Sequence, residues 1–258
     1  MTMNRVIVSI LFLLFACVAY SQEDSLLRQV SSHEELDLRE VGLLAMPSQG
    51  VFMKVGNVLV SVDDGIEMAR ISFPDSIYVD EMIWTGEDML LKAGYEVYLW
   101  SNLDEPRMEF DTEDYEVFPW NEKKIFIVCH TIDSSLLYAG YIKHRKVKPL
   151  LKMGEDIICV SAIGEATLVV TTENVYLFTK EECKRYLNFW APVHSAVMTS
   201  RGLVFATEDM VCLLVGEGTF LPLFEAKTRQ LLYDYKELYL LLDNGDLWAF
   251  DIDGLNLF

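Results

Sequence analysis

The stretch Glu237–Phe250, ELYLLLDNGDLWAF, decides how the rest of the chain is read. Two apolar runs flank Asn244-Gly245. Asn-Gly is the strongest short hairpin signal, because both residues accept the positive φ of a two-residue type I′ turn. The stretch therefore predicts strand, tight turn, strand. Its second strand, Leu247–Phe250, aligns with apolar runs upstream at Val211–Leu214, Val175–Phe178, Leu137–Gly140, Val97–Trp100 and Val58–Ser61. The start-to-start steps, taken backward, are 36, 36, 38, 40 and 39 residues.

Each run has a partner just before it and a turn between. The turns centre on Gly56-Asn57, Gly94-Tyr95, Asp133-Ser134, Glu173-Asn174, Glu208-Asp209 and Asn244-Gly245. A period near 40 residues built from four short strands is what a β-propeller blade requires. Inner strands are predicted at Val41–Met46, Val79–Trp84, Tyr115–Trp120, Ile157–Ala162, Ser195–Thr199 and Leu231–Tyr235. Outer strands are predicted at Glu67–Phe73, Arg107–Phe110, Lys146–Leu151, Arg185–Trp190, Thr219–Phe224 and Leu255–Phe258. No stretch holds a 3.6-residue period, so few or no helices are expected. The expectation is an all-β, six-bladed β-propeller over residues 41–258.

In this repeat architecture the chain resembles the six-bladed propeller superfamily of exported bacterial proteins, the broad TolB-like class, over roughly Val41–Phe258. It carries no tryptophan-docking motif and no WD, Kelch or NHL-type signature, so the resemblance implies a ring of blades and no particular activity. With the last predicted strand at the C-terminus and a separate inner strand at Val41, the ring is expected to close mainly by side-chain packing between the first and last blades. The alternative is that Gln22–Arg39 lends the final blade an outer strand, against which the polarity of that segment speaks.

Residues 1–21 read as a signal peptide: Arg5, then the apolar run Val6–Ala16, then Ala19-Tyr20-Ser21 in small-x-small form. The apolar run is too short to span a bilayer as a helix. A rival cut exists at Leu14-Phe15-Ala16-Cys17, which resembles a lipobox and would leave Cys17 as a lipid anchor. Either cut sends the chain out of the cytoplasm, to a periplasmic or extracellular location. Residues 22–40 form a polar leader.

The chain has 21 basic and 40 acidic side chains, a formal charge of −19. Loss of Arg5 with the signal makes the balance more acidic still. Such a surface repels nucleic acid and anionic lipid, so DNA and RNA are excluded as partners. Cys129, Cys159, Cys183 and Cys212 show no close pair of zinc or redox type. Export would permit disulfides, but Cys129 and Cys212 read as small hydrophobes buried in strands.

Strand order in a propeller sorts loops between two ends. The links between blades share one end with the turns between second and third strands. That end takes Glu96, Asp111, Glu113, Asp114, Glu155, Asp156, Glu173, Glu208, Asp209, Asp243 and Asp246, and also Asp75, with Lys227 and Arg229 as opposing charges. The other end is mixed in sign. An acidic end favours a basic protein or peptide partner, or a divalent cation such as Ca2+. Turn geometry and solubility also favour acids in such loops.

Inner strands line the central channel, where Glu81, Glu116 and His194 are the candidates for acid, base or ligand chemistry. None lies in a recognisable catalytic motif. Asp243-Asn244-Gly245-Asp246 and Asp251-Ile252-Asp253-Gly254 fail the EF-hand spacing. There is no G-x-S-x-G elbow and no Gly-rich phosphate loop. Trp84 and Trp120 end successive inner strands, where aromatic rings serve interblade packing more readily than sugar stacking. The expected function is a non-enzymatic binding or scaffold module acting through its acidic loop end. The alternative is a carbohydrate-active or other hydrolytic enzyme with its site at the channel mouth.

Overall fold

Each repeat folds as a four-stranded antiparallel meander, because its four short runs are joined by tight turns at residues that tolerate them. The computed structural model describes residues 27–31, 38, 41–46, 49–63, 67–70, 78–180, 182–216 and 218–255. Numbered in chain order, a first strand β1 (Leu27–Ser31) precedes blade one, which is β2 (Gly42–Met46), β3 (Gly50–Val55), β4 (Val58–Ser61) and β5 (Glu67–Arg70). Blade two is β6 (Glu81–Trp84), β7 (Met89–Ala93), β8 (Glu96–Leu99) and β9 (Met108–Glu109). Blade three is β10 (Tyr115–Asn121), β11 (Lys124–Thr131), β12 (Ser134–Tyr141) and β13 (Lys146–Met153). Blade four is β14 (Ile157–Ile163), β15 (Ala166–Thr171), β16 (Asn174–Phe178) and β17 (Cys183–Asn188). Blade five is β18 (Ser195–Thr199), β19 (Gly202–Ala206), β20 (Val211–Leu214) and β21 (Phe220–Phe224). Blade six holds β22 (Thr228–Tyr233), β23 (Leu238–Leu242) and β24 (Leu247–Phe250), and its fourth strand is β1. Among the described residues the helical content is a single 3-10 turn, Ile142–His144.

The second strands are sandwiched between neighbouring blades, so they must be apolar on both faces. Ile125 to Val128 are all fully buried, and Leu203–Ala206 and Leu238–Leu241 repeat the pattern. The core is accordingly a circle of contacts between sheets. Ile83, Leu90 and Val97 of blade two meet Val117, Ile125 and Ile127 of blade three. Leu43, Val51 and Met53 of blade one meet Tyr239, Leu241 and Ala249 of blade six. Equivalent clusters join the other neighbours. Four tryptophans pack against these clusters, Trp84 and Trp100 between blades one and two, Trp120 between three and four and Trp248 between five and six; Trp120 also stacks on Phe126 of its own blade at 4.5 Å.

Ring closure departs from the expectation of closure mainly by side-chain packing and follows the alternative, an outer strand lent to the final blade from within residues 22–39. β1 pairs antiparallel with β24, Leu27 opposite Phe250, Arg28 opposite Ala249 and Gln29 opposite Trp248. The chain's start thus supplies the outer strand of its last blade. Leu255 lies outside any strand, and residues 256–258 of the strand expected there are outside the described residues. A polar segment suits this position because an outer strand needs little burial. Leu27 packs toward the cluster shared by blades five and six and Val30 toward that shared by six and one, while Arg28 and Gln29 face solvent. The Arg28 guanidinium lies 2.7 Å from Glu237. All four described cysteines are free: Cys129, Cys159 and Cys212 are buried and Cys183 is exposed. The expected signal segment and Cys17 lie outside the described residues.

Candidate functional site: the acidic end and the channel mouth

At one end of the ring the links between blades meet the turns that join second to third strands, and this end carries many acids with few cations among them. Asp111, Glu113 and Asp114 occupy the link from blade two to blade three, and Glu155 and Asp156 the link from three to four. Glu173, Glu208, Asp209, Asp243 and Asp246 sit in turns, and Glu96 begins β8 beside the Gly94-Tyr95 turn. Asp75 lies outside the described residues.

These acids are not equivalent. Glu155 is committed to the fold: its carboxylate accepts hydrogen bonds from Thr171 Oγ1 at 2.5 Å, Asn174 Nδ2 at 2.9 Å and Tyr176 OH at 2.6 Å. Burial would raise its pKa, yet these three donors outweigh burial and hold it below the ordinary carboxylate value. Glu96 accepts from Tyr98 OH at 2.5 Å, and burial together with that bond pushes the tyrosine up to about 12. Asp209 lies 4.0 Å from Lys227, and Asp246 is tied to Asn244 within its own turn. By contrast Asp111, Glu113, Asp114, Asp156, Glu173, Glu208 and Asp243 have no ion-pair partner among the described residues, and Glu113, Asp114, Glu173, Glu208 and Asp243 are exposed.

The opposite end handles its charge differently. Arg28 pairs with Glu237, Arg145 with Glu105, and Arg201 with Asp253 at 3.7 Å. Three of its acids are thus paired; Glu87, Asp88, Asp104, Glu122, Glu165, Glu182 and Asp251 have no ion-pair partner among the described residues, but Lys123, Lys143, Lys180 and Lys236 stand in the same loops.

In the channel, the structure brings Glu81 and Glu116 together on adjacent inner strands, β6 and β10. Lys92 of β7 stands opposite Glu81 in register. Its ammonium donates to the Tyr115 carbonyl at 2.7 Å and lies 4.4 Å from that tyrosine's ring centre. Both residues are exposed, but surrounding protein replaces much of the bulk solvent that would stabilise their charge. That enclosure, reinforced by Glu81's charge and opposed by Lys92, raises Glu116 to about 7. Glu81 is raised too, first by enclosure and then by Asp80, with Lys92 again opposing.

His194 does not join them. It precedes β18 in blade five, across the ring from blade two, and its Nε2 is in hydrogen-bond contact with the Thr228 carbonyl. Among the described residues no group of three or more His, Cys, Asp and Glu side chains is placed to share a metal ion.

Sequence reasoning missed two components. Lys92 is one: its place beside both carboxylates depends on cross-strand register, which a single strand's sequence does not show. The other is a set of exposed apolar side chains at the acidic end: Val55 beside the first turn, Tyr78 in the link from blade one to two, Tyr95 in the second turn and Ile132 in the third. Their signal was available, since an apolar residue at a turn tip has nothing to pack against within its own sheet.

No family model and no curated protein matches the chain. Solved structures do match in fold. The chain is similar to virginiamycin B lyase from Staphylococcus aureus, crystallised in inactive form with quinupristin, at 10% identity and a TM-score of 0.56, covering 88% of this chain and 99% of that one. It is similar to the Dos1 propeller at 11% identity and a TM-score of 0.54, covering 82% and 68%. A third likeness, at 9% identity and a TM-score of 0.51 over 81% and 77%, is to BBS1N in complex with ARL6DN. At such identities the likeness establishes the fold: the chain is a six-bladed β-propeller with four strands per blade. Propellers host catalysts and binding modules alike, so function has to be argued from the site.

Proposed function

We propose that the chain is an exported, non-enzymatic propeller that binds a protein or peptide through its acidic end. The observation that carries this is the uneven placing of cations between the loops of the two ends. The opposite end's loops hold Lys123, Lys143, Arg145, Lys180, Arg201 and Lys236 among their acids and form three ion pairs, whereas Asp111, Glu113, Glu173, Glu208 and Asp243 have no ion-pair partner among the described residues. Uncompensated charge gathered on one surface steers and selects a partner of opposite sign. Export is supported by the n-region, apolar run and cleavage pattern of residues 1–21. No helix among the described residues is long and apolar enough to cross a membrane.

Reversing Asp111, Glu113, Glu173, Glu208 and Asp243 to lysine is expected to abolish capture of envelope partners by the purified protein. Reversing Lys123, Lys143 and Lys180 at the other end is expected to leave capture intact. Equal capture by all three proteins would refute the acidic end as the site.

One observation favours a second reading, hydrolysis at the channel mouth. Glu116 with a pKa of about 7 is half protonated near neutrality, as a general acid should be, and Glu81 adjoins it. On this reading a glycan panel shows turnover that Glu116→Gln removes.

A further inference from the structure

The acidic end is not uniform around the ring: the exposed apolar side chains of its turns are gathered on one half, while Trp190, 55% exposed in the link from blade four to five, is held edge-on against Phe205 and Phe220. The second-to-third-strand turns of blades one, two and three present Val55, Tyr95 and Ile132, which are 51%, 51% and 101% exposed, and the link between the first two blades adds Tyr78 at 64%. The same turns in blades four, five and six carry Glu173, Glu208-Asp209 and Asp243-Asn244 instead. Ile132 has its whole side chain in solvent, at a turn where a β-branched residue has no conformational advantage. Among the described residues nothing covers it. Contiguous exposed apolar side chains on a globular protein mark interaction sites.

Charge says what kind of partner fits. Exposed Asp80, Glu113, Asp114 and Asp133 lie on the same half. The cations nearest the apolar groups are already engaged within the fold: Lys54 sits 4.8 Å from the Tyr78 ring centre, and Lys92 bonds the Tyr115 carbonyl. The Lys54–Tyr78 contact also shows an exposed ring of this surface holding a cation by its face. A lipid surface is disfavoured, because inserting Tyr95 and Ile132 would drag neighbouring carboxylates out of water.

We propose that blades one to three form the docking half of the acidic end, and that its occupant is a basic amphipathic peptide segment. The apolar side chains of that segment cover Val55, Tyr95 and Ile132, and its lysines or arginines meet Glu113, Asp114 and Asp133. This rests on the reading of the acidic end as the binding surface and narrows it to one half and one chemistry.

The test uses two labelled peptides, one alternating lysine with leucine and one alternating lysine with serine, titrated by fluorescence anisotropy. Wild type is expected to bind the lysine-leucine peptide about tenfold more tightly than the lysine-serine peptide. The Tyr95→Ser/Ile132→Ser double variant, checked for an unchanged melt, is expected to lose that preference. Reversal of Glu173, Glu208 and Asp243 to lysine, on the other half, is expected to change lysine-leucine affinity less than about threefold. Equal binding of both peptides, lost on reversal of blades four to six and indifferent to Tyr95 and Ile132, would overturn the docking half and leave the acidic-end reading standing. No binding of either peptide would count against both. Cosedimentation with phosphatidylcholine vesicles that depends on Tyr95 and Ile132 would assign the apolar group to lipid and overturn the proposal.

Discussion

Gly140 shows how closely the blades approach one another. A Cβ built there would lie 2.7 Å from Ile127 Cδ1, 2.8 Å from Ile125 Cγ1 and 3.0 Å from Met108 Cε, the last from the neighbouring blade. Glycine in a strand interior marks such a close approach. Gly140→Ala is expected to cost about 1–3 kcal/mol by overpacking, read as a lower urea midpoint with an unchanged slope; an unchanged midpoint would mean the contact between blades two and three yields freely. Glu116 has the opposite character, a residue the fold tolerates at a cost. A carboxyl raised on folding contributes nothing below its ordinary value of 4.5, where folded and unfolded chains are both protonated. Between 4.5 and about 7 the unfolded chain releases the proton and the folded chain keeps it, so stability falls as pH rises. Channel water screens part of this. Glu116→Gln is expected to raise the melting temperature at pH 8 by about 2–4 °C, about 1 kcal/mol, and to leave it unchanged at pH 4. An equal shift at both pH values would show that its charge is not the cause.

At the scale of elements, β1 closes the ring. It shares a ladder with β24, buries Ser31, and sets Leu27 and Val30 against two different interblade clusters. Its ion pair is a smaller matter: with Arg28 and Glu237 at 51% and 16% exposure, the pair is worth about 0–1 kcal/mol. Glu237 is held below its ordinary value by the Arg28 hydrogen bond, so this contribution is present above 4.5 and lost as pH falls through the lowered value. A chain starting at Ser32 is expected to be destabilised by about 3 kcal/mol or more, about 6–12 °C, relative to one starting at Gln22. Matching melts would show that packing alone closes the ring.

Across the whole molecule, the fold was legible because its determinants are local and repeated. Val58–Ser61, Ser195–Thr199, Val211–Leu214 and Leu247–Phe250 are strands with the expected bounds. What failed was the part with weak local signals. β22 begins at Thr228 rather than Leu231, since Thr228, though polar, is buried to 1% exposure by its neighbours. Apolar content favours Leu255–Phe258 as the outer strand of the last blade over the polar Leu27–Ser31, but an outer strand needs little burial and β1 takes the place. Topology sorts the acids between the two ends, but only side-chain contacts separate Glu155, bound by three donors, from exposed Glu113 and Glu173. The Glu81–Lys92–Glu116 neighbourhood is a product of register and ring geometry, which no single stretch contains.

Binding through the acidic end of the blades, as proposed, must shield backbone amides there. Hydrogen–deuterium exchange of the full chain, with and without the lysine-leucine peptide, tests it most directly. Slowed exchange is predicted at Gly94–Glu96, Asp111–Asp114 and Thr131–Ser134, with no change at Glu122–Lys123 and Ser200–Arg201 on the other end. Protection confined to those opposite turns, with none at the acidic end, would contradict it.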